Sequence, residues 1–212
     1  MTTFTQPAFW QTGARRPASH YALSLVAGQT ITEPLVYAEV KIYPGLRLPD
    51  NTDELHITSL IKAARQKVET DTGLRLITQS WDLTLDAFPS DAIYVPLEPL
   101  LSATIKTTTT AGVESTLAPS NYQVDIASSP PRILLSDTGS WPSDLRAHAG
   151  IVIRLSVGFG ATGASVPEPL REAMRIAIRC WYAPLSGAPY SLPPVWMGYD
   201  ALIAPYRLVG VA

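Results

Sequence analysis

The sequence predicts an α+β chain, a small helical core interrupted by an antiparallel β module, and three observations predict it. Apolar residues recur at helical spacing over 57–68 and again over 170–181. Between those stretches the period drops to 2, with Trp81, Leu83 and Leu85 alternating with Asp82, Thr84 and Asp86. Neither helix can bury its stripe alone, so the two are expected to pack together with the β module inserted between them.

The elements follow in order. Residues 1–30 read as an arm, because Pro, Gly and Ser mix there with Phe9 and Trp10 and no period holds. A short helix is expected over 33–41, stopped by Pro44-Gly45. In the first long helix Ile57, Leu60, Ile61, Ala64 and Val68 form one apolar stripe. Asn51 and Glu54 can form a capping box at its start, and Gly73 suits its end. Strands are expected near 81–85, 92–95, 101–110, 113–118, 121–126, 131–135 and 150–157. A second long helix starts near 166, with Ser165 and Glu168 as a capping box and Pro167 in its first turn. Pro184 ends it, and a Pro-rich loop leads to a last short helix near 197–206. The resulting division is an arm over 1–30, a domain over 31–207 and a tail over 208–212. The domain has its helical core in 31–76 and 165–207 and its β insertion in 77–160.

Composition narrows the function. The chain has 212 residues, 46% of them apolar, which is enough for a real core. Its 16 Lys+Arg against 18 Asp+Glu give a net charge of -2, which points to neither a nucleic-acid groove nor a membrane surface. Only 16% of residues are charged, against about 25% in an ordinary soluble domain. Partners are therefore expected to cover much of the surface. The opening Met1–Trp10 lacks the pattern of a signal peptide, and no run is long enough to span a membrane. Cys180, alone in an apolar helical pattern, reads as a buried thiol in a reducing compartment.

No motif makes a convincing catalytic site. Gly158-x-Gly160-x-x-Gly163 matches a dinucleotide fingerprint, yet no second strand ending in an acidic residue follows. A phosphate loop would need Lys where Ala164 stands. Asp71-Thr72-Gly73 and Asp137-Thr138-Gly139 repeat an acid-protease triplet, but Asp71 falls on the end of a helix. His20, His56 and His148 are scattered, none at metal-ligand spacing. Lys62, Arg65 and Lys67 could face a phosphate backbone, although Arg65–Glu69 pairing on a solvated helix is the simpler reading. The expectation is a chain without enzymatic activity, cofactor or metal.

Residues EPLVYAEVK, then KVETDTGLRLITQSWDLTLDAFP, and later VPEPLREAMRIAIRCWY and ALIAPYR carry a resemblance. They resemble the head–tail connector (adaptor, head-completion) proteins of tailed phages and gene transfer agents. The most specific part is Thr72-Gly73, Arg75, Leu76-Ile77-Thr78-Gln79 and Trp81, followed by Leu83, Leu85 and Phe88-Pro89. The resemblance covers about 31–207. It implies a structural virion protein at the neck, assembled in the host cytoplasm as a ring, usually of twelve copies. Its partners would be its own copies, the portal protein and a tail-completion or stopper protein. Packaged DNA would pass through the lumen with only transient, non-specific contact. A closed ring of heterologous contacts consumes much of each subunit's surface, which accounts for the low charge. The interface residues expected are Phe9, Trp10, Arg15 and Arg16 in the arm, and Tyr190, Trp196, Tyr199, Tyr206 and Arg207 near the C-terminus. Aromatic and Arg side chains are the usual interface anchors. The alternative is a small nucleotide-binding protein or enzyme using the Gly158–Gly163 loop.

Overall fold

The computed structural model of the chain describes residues 21–44, 46, 53–182 and 192–208, with side chains from 198 onward in the last stretch. It divides into two compact units: residues 31–77 with 159–208 form one, and 78–158 with the segment before residue 31 form the other. The architecture is α+β.

The helical unit holds four helices, α1 (Tyr37–Lys41), α2 (Glu54–Thr72), α3 (Glu168–Tyr182) and α4 (Leu192–Ile203). The predicted stripe of α2 is its buried face: Ile57, Ile61, Ala64 and Val68 are at most 2% exposed. Leu170, Ala173, Met174, Ala177 and Ile178 of α3 join them in one cluster, together with Tyr199 and Ile203 of α4. Cys180 is buried as well. The stripes of the two long helices thus cover each other, as their spacing requires.

The helix ends differ from expectation in instructive ways. Pro34 holds the preceding backbone out of helical space, so the first helix begins only at Tyr37. Asn51 lies outside the described residues. Asp53 precedes α2 without capping it, and accepts a hydrogen bond from the Tyr182 hydroxyl at 2.6 Å. Ser165 belongs to a 3-10 turn ahead of α3, and the Glu168 carboxylate is taken by Arg171 at 2.7 Å and Arg175 at 2.5 Å. Ionic partners one and two turns along the helix compete successfully with the capping box. Gly73 ends α2 in the left-handed conformation, φ 81°, with its N–H on the Glu69 carbonyl. α4 starts earlier than predicted and passes into a 3-10 turn at Ala204, because Pro205 has no N–H to continue it.

The second unit is two antiparallel sheets. Strands β1 (Tyr21–Leu25), β2 (Gln79–Leu85), β3 (Ala92–Tyr94), β4 (Leu100–Thr108), β5 (Glu114–Thr116), β6 (Tyr122–Asp125), β7 (Arg132–Leu135) and β8 (Ile151–Val157) contribute. The larger sheet has the order β1-β2-β8-β4-β5 and the smaller β3-β7-β6. Along β2 and β8 every second residue is buried, so one face of the large sheet makes the core and the other meets solvent. Leu83, Ile105, Ile153 and Leu155 pack there with Ile93, Tyr122 and Ile133 of the small sheet. Tyr21–Leu25, read from sequence as arm, is a strand paired along its whole length with β2. Its alternation is only five residues long and follows a Pro- and Gly-rich stretch that hides it.

Candidate interaction surfaces

The most specific strip of the sequence is built for folding. Thr72 closes the end of α2: its hydroxyl donates to the Val68 carbonyl at 2.7 Å and accepts the Leu74 N–H at 3.2 Å. Glu69 accepts the Leu76 N–H at 3.0 Å and pairs with Arg65, also at 3.0 Å. Arg65 reaches Glu33 at 2.9 Å. Burial disfavours the charged form of Arg75, while Glu69 opposes that shift. Leu76 and Ile77 are core residues. In the sheet unit the Trp81 indole N–H donates to the Gln79 side-chain oxygen at 3.1 Å, and Phe88 stacks on Trp141 with centroids 4.2 Å apart. These residues therefore specify a fold, and a resemblance carried by them reports architecture first.

The glycine loop is filled by the chain itself. A Cβ on Gly163 would collide with the Pro34 carbonyl, and one on Gly160 with the Ser165 side chain. Gly158 sits at φ 127°, a conformation that side chains rarely adopt. Packing demands these glycines, and it accounts for their spacing without a phosphate. The paired triplets have local explanations too. Asp71 bonds Lys67 at 2.9 Å and the Tyr199 hydroxyl at 2.7 Å, while a Cβ on Gly139 would strike the Asn121 carbonyl.

Among the described residues no group of His, Cys, Asp and Glu could hold a metal ion, and no helix is long and apolar enough to cross a membrane. His20 lies outside the described residues. The rings of His56 and Tyr182 are 6.2 Å apart, and the His148 carbonyl accepts from Arg146.

Phe9, Trp10, Arg15, Arg16 and Tyr190 lie outside the described residues, as does the side chain of Trp196, whose backbone is in α4. Tyr199 is 1% exposed, so anything it offers a partner goes through the helix it anchors. Burial and the neighbouring Asp71 both push its phenol pKa well above the usual range. Tyr206 is half-buried against the helical core, and Arg207 is exposed and paired with Asp200 at 2.8 Å. Of the three basic residues on α2, Arg65 and Lys67 are engaged by Glu33, Glu69 and Asp71 within the helical unit. Lys62 is exposed.

Sequence reasoning missed several exposed apolar side chains. Val36 and Ile42 flank α1 and Leu55 lies in the first turn of α2, at 57%, 77% and 86% exposure. In the sheet unit Leu101, Val113 and Ile126 are exposed. Leu55 could have been found, because it falls on the side of α2 opposite the Ile57–Val68 stripe.

No protein-family model matches the sequence, and no curated protein does. Solved structures do. A chain in the neck of an empty gene transfer agent (GTA) particle, computed with C6 symmetry, matches with 24% identity and TM-score 0.72 over 90% of this chain and 97% of that one. A chain of the native GTA virion matches at 23% identity and TM-score 0.70, over 90% and 97%. A third, from the neck of the native GTA particle computed with C12 symmetry, is 26% identical at TM-score 0.59, over 87% and 98%. This chain has the fold of a GTA neck protein. Both units belong to that neck fold, since so little of either chain is left unmatched.

Proposed function

We propose that the protein is a head–tail connector of a virion neck, assembled in the host cytoplasm as a ring between the portal and the tail-completion or stopper protein. The observation that carries this is the match along nearly the full length of neck chains, one of them in a particle computed with C12 symmetry. The packing role of the glycine loop and the low charge of the chain agree with a structural part. DNA passes through the lumen with weak contact only, which suits a net charge of -2 better than a basic groove would. The Asp200–Arg207 end of α4 and the exposed Val36, Ile42 and Leu55 are the surfaces offered to partners.

The test is a tagged pull-down from cells that produce particles, with recovered proteins identified by mass spectrometry. A portal-sized partner together with tail-completion proteins is expected. Recovery of the chain alone, or with metabolic proteins, would overturn the proposal. Nucleotides should leave the melting temperature unchanged, whereas a nucleotide site in the 158–163 loop would raise it by linkage. Removing the last dozen residues is a poor docking test, because it deletes Ile203 and Leu208 from the helical core. Charge reversal at Arg207 tests the same end without touching the core.

A further inference from the structure

One side of β4 is covered only in part. β8 pairs with it from Leu100 to Thr107, whereas β5 pairs only with Lys106–Thr108. On that half-open side two bonds tie the chain along and before β4 to β6 and the loop after it. The Tyr122 hydroxyl donates to the Ala103 carbonyl at 3.4 Å, and the Ser129 hydroxyl to the Glu98 carboxylate at 3.1 Å. Leu101 and Ile126 lie between these ties on the two segments, 46% and 56% exposed. The register shift between Leu100 and Ser102 turns Leu101 outward. Glu98 is half-buried, and burial holds its pKa above the usual carboxylate range, against the pull of the Ser129 hydrogen bond. Among the described residues no cation pairs with it.

A surface of opposite charge lies on the helical unit. Ile42, just past α1, is 77% exposed. Beside it the Tyr43 hydroxyl donates to Glu172 of α3. Arg179, two turns further along α3, is exposed, and its charge acts on the Tyr43 phenol against the burial that raises that group. The carboxylates of α3 are already engaged, Glu168 by Arg171 and Arg175, and Glu172 by Arg175. Among the described residues no carboxylate pairs with Arg179. The charge of the two units runs the same way. Among its described residues the sheet unit carries eight Asp or Glu and four Lys or Arg, the helical unit nine of each.

We propose that the Leu101–Ile126 surface of one copy receives the Ile42–Arg179 surface of the next, with the Arg179 guanidinium on the Glu98 carboxylate. The inference rests on the ring reading above and gives it a subunit contact. A half-buried carboxylate without a cation costs free energy that a partner's guanidinium removes. The planar fork of Arg also suits a carboxylate bidentately. Apolar side chains around the pair exclude water, which strengthens it beyond an ion pair on an open surface. The two surfaces differ, so each copy gives one and takes the other, the head-to-tail arrangement a closed ring requires.

Charge exchange in the full chain tests this. Glu98→Arg and Arg179→Glu should each melt as the parent chain does, and each should enter necks about tenfold less often. The double variant sets opposite charges together again at every contact and should restore entry. Single variants that enter necks undiminished, or a double variant as depleted as either single one, would overturn the inference and leave the connector reading standing. A second measurement does not depend on charge reversal. Glu98→Cys and Arg179→Cys are combined in a Cys180→Ala background and joined in assembled necks by a short bismaleimide. A ladder of linked copies is expected, whereas links only within one chain would overturn the contact between copies. Parent chain that never enters a neck would sink both readings.

Discussion

The side chain of Gln29 takes the place of a strand opposite Ser80. Its carboxamide oxygen accepts the Ser80 N–H at 2.8 Å, and its nitrogen donates to the Ser80 carbonyl, also at 2.8 Å. The same nitrogen lies 3.1 Å from the Val26 carbonyl. The amide thus continues the ladder of β2 for one pair beyond the end of β1. Replacing Gln29 with Ala takes the acceptor from the half-buried Ser80 N–H, while the Ser80 carbonyl keeps the Val26 N–H at 3.0 Å, at a cost of about 1–3 kcal/mol. Gln29→Glu keeps only the acceptor and sets a negative charge against the Ser80 carbonyl, so it should be at least as damaging. Urea unfolding and hydrogen exchange at the Ser80 amide measure both effects; unchanged exchange in Gln29→Ala would refute the assignment.

Glu69 holds two chain segments at once, the Arg65 guanidinium and the Leu76 N–H. It is 7% exposed and Arg65 8%. Glu69→Ala leaves a buried cation with Glu33 as its remaining acidic partner, and a buried N–H with no acceptor from this side chain. Breaking a buried pair from one side costs about 3–5 kcal/mol, so the variant should unfold at clearly lower denaturant. Glu69→Gln keeps an acceptor for Leu76 and should fall between the two.

Alkaline pH should weaken the helical unit through Tyr43. Its hydroxyl donates to Glu172, and burial followed by that carboxylate pushes its pKa up to about 12. The folded state therefore keeps a proton that an unfolded tyrosine releases near pH 10. The stabilisation is complete below about pH 10 and is lost as pH rises toward 12. Melting temperature followed from pH 8 to 12 should fall less steeply in Tyr43→Phe. Identical slopes would remove Tyr43 from the account.

Gly163 and Gly160 separate packing from ligand binding. Gly163→Ala drives a Cβ into the Pro34 carbonyl, a backbone atom with little room to move, and should cost about 1–3 kcal/mol. Gly160→Ala meets the Ser165 Oγ, which can rotate away, and the Ser165 Cβ at 2.5 Å, which rotation does not move. The backbone must shift there too, and a loss of similar size is expected. Thermal melts of the two variants measure both losses. Negligible losses would return the loop to other uses.

Much of the fold was legible because period and burial are local properties. The α2 stripe, the α3 stripe and the alternation in β2 all stand in the sequence, and the residues they predict are buried except Leu60 and Trp181, which are partly buried. The division of the strands into two sheets was not legible, since it depends on pairings between β8 and strands that lie far from it in the chain. The Ser165–Glu168 capping box failed because Arg171 and Arg175 drew Glu168 away, a competition invisible to a four-residue motif. The expected interface residues rested on residue type alone, and type does not separate Tyr199, a core residue, from an exposed tyrosine. Leu55 and Ile42 were overlooked for the opposite reason: lone apolar residues off a stripe are common.

Gln79 and Val157 are partners in register on neighbouring strands. The whole of residues 78–158 therefore leaves and returns at points one strand spacing apart. To the helical unit this long excursion is the thermodynamic equivalent of a short loop once the module has folded. Closing it before that costs only a slowly growing entropy. Turns and strands far from that pair can be lengthened, shortened or exchanged without moving the helices. Pairing of β2 with β8 brings residues 77 and 159 near one another and so shortens the loop that α2 and α3 must close to meet.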